Sequence, residues 1–376
     1  MKKSLLALAV LGAFAGVAHA QTNVTVYGVV DAGINYDDGK QSDKVWALQS
    51  GQQSGSRIGF RGTEDLGGGL SAVFTLENGF STDDGTLGNG GRLFGRQAWV
   101  GLNGGFGSVK LGRQYNAIYN ALNAIDPFGI NQAGDMQRVY GYGLGKVDPI
   151  SRSDNTITYT SPNIAGFTGQ VGYKFGENAG AFNTGSSKFV GLAYVAGPVN
   201  VQAAYSNTNA LSLGTAASTS ATATLNPIAA QALAAGLAGT AATAGGVTTT
   251  TVRADVKNAL IGATYDFGVV KAHALFGDSK VENAGADIKI RNYMLGVSAP
   301  VGAVGSVYAS WNRNDFRDFD DAKSNQYAIG YSHSLSKRTN LYTSFGYTKN
   351  DDGVRLNAFA AGESDKEFQL GVRHTF

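Results

Sequence analysis

The chain has 376 residues, with 53 Gly, 6 Pro, no Cys and 15% charged side chains, which is too glycine-rich for a helical enzyme and too regularly patterned for a disordered chain. Lys+Arg 30 against Asp+Glu 28 gives +2, and setting aside Lys2 and Lys3 leaves the chain neutral; a nucleic-acid partner is excluded, because phosphate binding needs a basic face. The absence of Cys removes disulfides, thiol catalysis, Cys-ligated metals and an acylated N-terminus together.

Residues 1–20 read as a cleaved signal peptide: Lys2 and Lys3 precede an apolar stretch from Leu5 to Val17, and Ala18, His19, Ala20 form a small-x-small site that places the cut before Gln21. The alternative, a retained anchor helix, is disfavoured because that stretch is shorter than the roughly 20 residues that span a bilayer. Beyond it no apolar run approaches a transmembrane helix, so any passage through a membrane must use strands.

Alternation with period 2 begins at once. Val24, Val26, Val30, Ala32 and Ile34 share one face of the first segment, while Thr25, Tyr27, Asp31 and Asn35 share the other. Further segments follow the rule around Phe167–Phe175, Val199–Tyr205, Ala259–Phe267 and Tyr327–Tyr331, and the last places Phe368, Leu370, Val372, His374 and Phe376 against Glu367, Gln369, Gly371, Arg373 and Thr375. The chain holds roughly sixteen such segments, each long enough for a tilted membrane strand. Short links are predicted at residues 65–69, 103–107, 162–166, 196–200, 266–269, 299–305 and 335–339. Longer polar links are predicted at 37–54, 81–91, 116–152, 177–186, 207–251, 280–287, 314–322 and 350–364. Short turns at one end and long loops at the other are the signature of an up-and-down membrane barrel with both termini on the short-turn side. A soluble sandwich would also alternate, but the polar faces here carry Gly, Ser, Gln, Lys and Arg, and the apolar faces are rich in Tyr and Phe, as in interfacial girdles. The Ala/Thr-rich segment 207–251, with a faint helical stretch at 228–237, reads as an extracellular loop tolerated on the surface.

Several stretches carry a family resemblance. SRIGFRGTEDL at residues 56–66, the glycines 67–69 and LSAVFTLE at 70–77 resemble adjacent strands of the general porins of beta-proteobacteria. GRQAWVGL at 95–102, GSVKLGR at 107–113, YTSPN at 159–163, GVSAPVG at 296–302 and SLSKRT at 334–339 are similar to the same family, and the likeness runs from residue 21 to the end. The resemblance implies an all-β fold: a 16-stranded antiparallel transmembrane β-barrel, assembled as a homotrimer in the outer membrane, with a long third loop folded into the pore. That constriction loop would be residues 115–148, carrying Asp126, Asp135 and Asp148. The family sets barrel-wall arginines against the loop, and the matching positions are Arg57, Arg96 and Arg152. The terminal Phe376 resembles the signal read by the outer-membrane assembly machinery.

Parity agrees for Arg57, which with Arg61 lies opposite Ile58 and Phe60; it disagrees for Arg96, which falls on the face of Ala98, Val100 and Leu102 unless a bulge or a position above the lipid band intervenes. Lumenal Arg57, Arg61, Lys110 and Lys174, diluted by Gln114 and Gln170, lead to an expected mild anion preference in passive diffusion of ions and small hydrophilic solutes, with the loop aspartates completing a transverse field. No enzyme site or cofactor is implied: His273, His333 and His374 are far apart in sequence, and Ser298 lacks the second glycine of a nucleophile elbow. Carboxylate pairs such as Asp37/Asp38 and Asp351/Asp352 sit in long links, where they suit lipopolysaccharide-bridging divalent ions. A substrate-specific channel and a barrel-anchored adhesin remain alternatives, the first wanting a continuous aromatic track and the second larger folded loops.

Overall fold

The computed structural model of the chain describes residues 23–40, 43–217, 239–244, 247–283 and 286–376; the expected signal peptide lies outside them, as does the helical stretch expected at 228–237. In chain order the strands are β1 (Asn23–Asp38), β2 (Val45–Ser50), β3 (Arg57–Gly67), β4 (Leu70–Gly79), β5 (Gln97–Gly104), β6 (Gly107–Tyr115), β7 (Arg152–Thr160), β8 (Phe167–Lys174) and β9 (Ser187–Ala196). They continue as β10 (Val199–Ala217), β11 (Gly239–Ala244), β12 (Val247–Asp266), β13 (Lys271–Asn283), β14 (Ala286–Val301), β15 (Gly305–Phe316), β16 (Lys323–Ser334), β17 (Thr339–Asn350) and β18 (Asp365–Thr375).

Neighbours pair antiparallel, and β1 closes the sheet on β18 from Val29↔Thr375 to Asp38↔Lys366. The first half of β1 pairs with β3 and its second half with β2, so these two are one wall strand interrupted at residues 51–56. β11 only flanks the far end of β12, before β13 takes over that edge, which leaves sixteen strands in the wall. Backbone atoms of the last residue join the closure: Gly28 N donates to Phe376 O at 3.0 Å and Phe376 N to Gly28 O at 3.1 Å.

Side-chain alternation sets the two faces. On β1, Val24, Val26 and Ile34 are exposed outward while Asp31, Asn35 and Asp37 are buried inward. Val100, Leu102, Ile157, Leu295, Ile329 and Leu370 continue the exposed apolar surface around the barrel, the inverse of a soluble sandwich. All seven short links join paired strands where they were predicted, and the β3/β4 turn runs through Gly67, Gly68 and Gly69 at φ of 82°, 63° and 78°, a left-handed path that side chains resist. Three of the longer links are corrected. Residues 45–50 form β2, β10 and β12 extend into 207–251 as paired strands, and β13 and β14 pair out to Asn283↔Ala286. Along these extensions the alternation inverts rather than ends: Val256, Val281, Ile288 and Ile290 are buried inward while Asp255, Lys289 and Arg291 are exposed outward, so the backbone goes on pairing with the apolar face turned to the interior.

The interior departs from a purely polar lining. The link between β6 and β7 contains α1 (Ala117–Ile125), capped by the Asn116 side chain accepting from Ile118 N, the short α2 (Met136–Val139) and a 3₁₀ turn at Tyr140–Lys146. Ala117, Ile118, Ala121, Leu122 and Ile125 form one buried face of α1, and this face joins inward-pointing Ala204 of β10, Val256 and Leu260 of β12, Leu275 of β13 and Met294 of β14 in a single apolar cluster. Polar ties flank it: Asn312 Nδ2 donates to Gly134 O at 3.1 Å, Asn314 Nδ2 to Val139 O at 3.0 Å, and Gly141 N to Asn292 Oδ1 at 3.0 Å. His273 is absorbed here, its Nδ1 donating to the carbonyl of Ile125 at 2.6 Å.

Fully buried Leu122 makes the attachment testable. Leu122→Ala should cost about 2–5 kcal/mol of loop docking. The barrel should keep its mobility on unheated gels while open-channel current noise in a planar bilayer increases; unchanged noise would show that the helix is held by its polar ties alone.

Candidate functional site

A cluster of guanidinium and phenol groups lines the inner wall between β1 and β7. Arg57 opens β3, its Nε donating to Gly55 O at 2.9 Å, and lies within electrostatic reach of Arg96 and Glu77. Arg96 occupies the bend just before β5, so strand parity does not apply to it, and its side chain turns inward. Its Nε donates to Glu77 Oε1 at 2.8 Å and its Nη2 to Tyr115 Oη at 2.9 Å, with the guanidinium side chain only 9% exposed. Gly55 and Gly79 make the seat: a Cβ at Gly55 would lie 2.8 Å from Arg96 Nη1, and one at Gly79 would lie 3.0 Å from its Cδ. Arg152 opens β7 with its guanidinium carbon 4.8 Å from the Tyr115 ring centroid and 5.7 Å from that of Tyr119. Tyr115 and Tyr119 stack at 4.0 Å with an interplanar angle of 9°. The Tyr115 hydroxyl therefore links two arginines, accepting from Arg152 Nη2 at 3.4 Å as well.

One carboxylate serves this cluster. Glu77 is buried, with Oε1 bound to Arg96 and Oε2 accepting from Tyr27 at 2.8 Å. The aspartates that sequence reasoning set against the arginines are engaged elsewhere. Asp126 accepts from the backbone N–H groups of Phe128, Ile130 and Met136 at 2.9–3.1 Å, which folds the loop on itself. Asp135 is buried, caps α2 through Gln137 N and pairs with Lys146 at 2.7 Å and Arg138 at 3.5 Å. Asp148 pairs with Arg113 at 2.7 Å, and Arg113 also holds Asp154 at 2.7 Å and Gly95 O at 2.7 Å, tying the base of the loop to the Arg96 bend. Farther toward the short turns, Arg61 lies 5.3 Å from the Tyr27 ring centroid and Lys110 Nζ 4.3 Å from that of Trp99. Lys174 spends its ammonium on the carbonyls of Gly185 and Phe175.

A closed antiparallel barrel, apolar outside and charged within, with a helical loop bound to its inner face, can conduct polar solutes. The model of the Gram-negative porin family matches residues 7–245 and 212–353. The chain belongs to that family. It is 38% identical to outer membrane porin protein 32 of Delftia acidovorans over 389 aligned residues that cover all of both chains. Its fold is similar to that of an anion-selective porin from Comamonas acidovorans, with a TM-score of 0.76 at 33% identity over 94% of this chain and 100% of that one. The outer membrane protein OmpT of Vibrio cholerae, solved in a trimer form, shares the fold at a TM-score of 0.67 and 17% identity over 94% and 99% of the two chains. The protein is thus an outer-membrane diffusion porin, a channel and not an enzyme.

The sequence pattern assigned no role to Glu77, Tyr115 and Arg113 of this porin's wall or to Tyr119 of its loop helix. Glu77 was findable, since it shares the inward face of Val73 and Thr75. The tyrosines stand where β6 gives way to α1, and no periodicity reaches across that change.

Burial pushes the Asp126 carboxyl up to about 7, against its three N–H donors and helped by nearby Asp135. A carboxyl whose pKa is raised in the folded loop binds more protons there than in the released loop, so docking weakens as pH rises from about 4 to 7. Open-channel noise of the wild type should therefore grow between pH 5 and pH 8, and Asp126→Asn should flatten that dependence; the same slope in the variant would assign it to another group.

Proposed function

We propose that this porin favours small anions over cations and works as a homotrimer, with residues 115–148 narrowing the pore and Arg57, Arg96 and Arg152 forming the charged side of the opening. The observation that carries the reading is a charge imbalance: among the described residues three guanidinium groups around Tyr115 and Tyr119 are met by Glu77 alone, while Asp126, Asp135 and Asp148 are held in contacts of their own. An incoming anion meets fixed cations already oriented by neighbouring rings and carboxylate, and replaces part of its hydration there without a tight site. Arg61 and Lys110 extend the basic wall toward the short-turn side. The Delftia and Comamonas relatives support the reading, the latter being described as anion-selective, and the Vibrio trimer supports the assembly. In the same reading Phe376 addresses the chain to the outer-membrane assembly machinery, and the outer surface meets lipid and lipopolysaccharide.

Single-channel recording of the refolded protein under a potassium chloride gradient tests it. Conductance steps grouped in threes and an anion-favouring reversal potential are expected. Arg57→Glu, a change of two charges, should lower the anion-to-cation permeability ratio by roughly tenfold. A cation-favouring wild type would refute the selectivity, and a ratio unmoved by the variant would remove Arg57 from the opening.

A further inference from the structure

Below the arginine cluster the inner wall carries a recess of about 610 Å³, bounded by the inward side chains of Thr25, Arg61, Thr63, Thr75, Trp99 and Lys110. Strand register builds it in two rows. Thr25, Arg61, Thr75 and Trp99 stand side by side across β1, β3, β4 and β5, and the next row brings Thr63, Val73, Gly101 and Lys110 together. Gly101 offers no side chain opposite Lys110, so the lysine stem crosses the gap and brings its ammonium to the Trp99 ring. The result is a concave patch with two cations, a flat indole and a floor at Val73.

Three features distinguish this recess from a merely wet wall. Among the described residues no acidic side chain lines it, and both cations rest against aromatic rings, Arg61 on Tyr27 and Lys110 on Trp99, so neither charge is paired there with a carboxylate. Two polar atoms at its edge, Asn103 Oδ1 and Ser108 Oγ, have no hydrogen-bond partner among the described residues, leaving hydrogen-bonding capacity unspent. Arg61 follows Arg57 by four strand residues, which sets the recess roughly 13 Å farther along the wall than the arginine cluster.

We infer that this recess is a second station in the pore, one that binds small aromatic carboxylates. The carboxylate accepts from Arg61 and Lys110, threonine hydroxyls flank it, and the ring lies against Trp99 and Val73. A chloride ion can use the charges and not the apolar floor, so the station discriminates by the carbon skeleton of the anion. The inference rests on the anion-favouring reading of the pore and adds to it a preferred solute class.

Trp99 supplies the readout, because Trp46 and Trp311 stand on the outward faces of β2 and β15. The folded porin is titrated with benzoate while tryptophan emission is recorded, with chloride at equal ionic strength as reference and reversal potentials measured on the same preparation. A saturable change with benzoate only, lost in Trp99→Phe and weakened about tenfold in Lys110→Gln and Arg61→Gln, is expected. A non-saturating change, or one that chloride reproduces or that both cation variants leave intact, overturns the station. The two readings fail separately: absence of the saturable signal in a channel that still favours anions sinks the station alone, and a saturable signal in a channel that favours cations sinks the selectivity alone.

Discussion

A strand crossing lipid has no water to satisfy its N–H and C=O groups, so the sheet has to close, and everything else in this porin follows from that closure. β1 meets β18 along ten residue pairs, and the last residue is stitched to Gly28 by two backbone hydrogen bonds. Once closed, the wall separates an apolar exterior from a single wet interior. Any selectivity must then come from inward side chains and from whatever chain folds in from the long-loop end.

The interior is divided in its turn. One sector of the wall, on β10 and β12–β14, points Ala204, Val256, Leu260, Leu275 and Met294 inward, and α1 buries its apolar face there. The other sector, on β3–β7, carries Arg57, Arg61, Arg96, Lys110 and Arg152. Docking the loop on the apolar sector leaves the basic one facing the remaining space. The loop's acids do not answer it, since Asp126 organises backbone, Asp135 holds Lys146 and Arg138, and Asp148 holds Arg113. A basic wall thus faces a loop whose acids are already paired or turned to its own backbone, and the field across the pore is set chiefly by the wall.

The tyrosines hold that arrangement through contacts that add no charge of their own. Arg152 lies against both rings of the Tyr115–Tyr119 stack and Arg96 donates to the Tyr115 hydroxyl as well as to Glu77, so neutral phenols help position both guanidinium groups. Among the described residues Glu77 is the carboxylate paired within this cluster, and it is buried in the wall. A second device recurs lower down, where Lys110 and Arg61 lie against Trp99 and Tyr27.

Period-2 alternation, Gly-bearing short links and the charge pattern of the strands were legible from the residues alone, because within the lipid band each side chain reports directly on which side of the wall it stands. That was enough for the barrel, for its seven short turns and for the inward direction of Arg57, Arg61 and Lys110. Arg96 lay beyond parity, since a bend before β5 frees its side chain from the strand rule. The extension of β10 and β12–β14 was hidden because the polarity of the alternation reverses there, with Val256, Val281, Ile288 and Ile290 buried inward and charged residues outside, while pairing continues. The destinations of Asp126, Asp135 and Asp148 were decided only in three dimensions: a carboxylate is satisfied by whichever donors the folded loop brings within 3 Å, and local sequence carries no record of them.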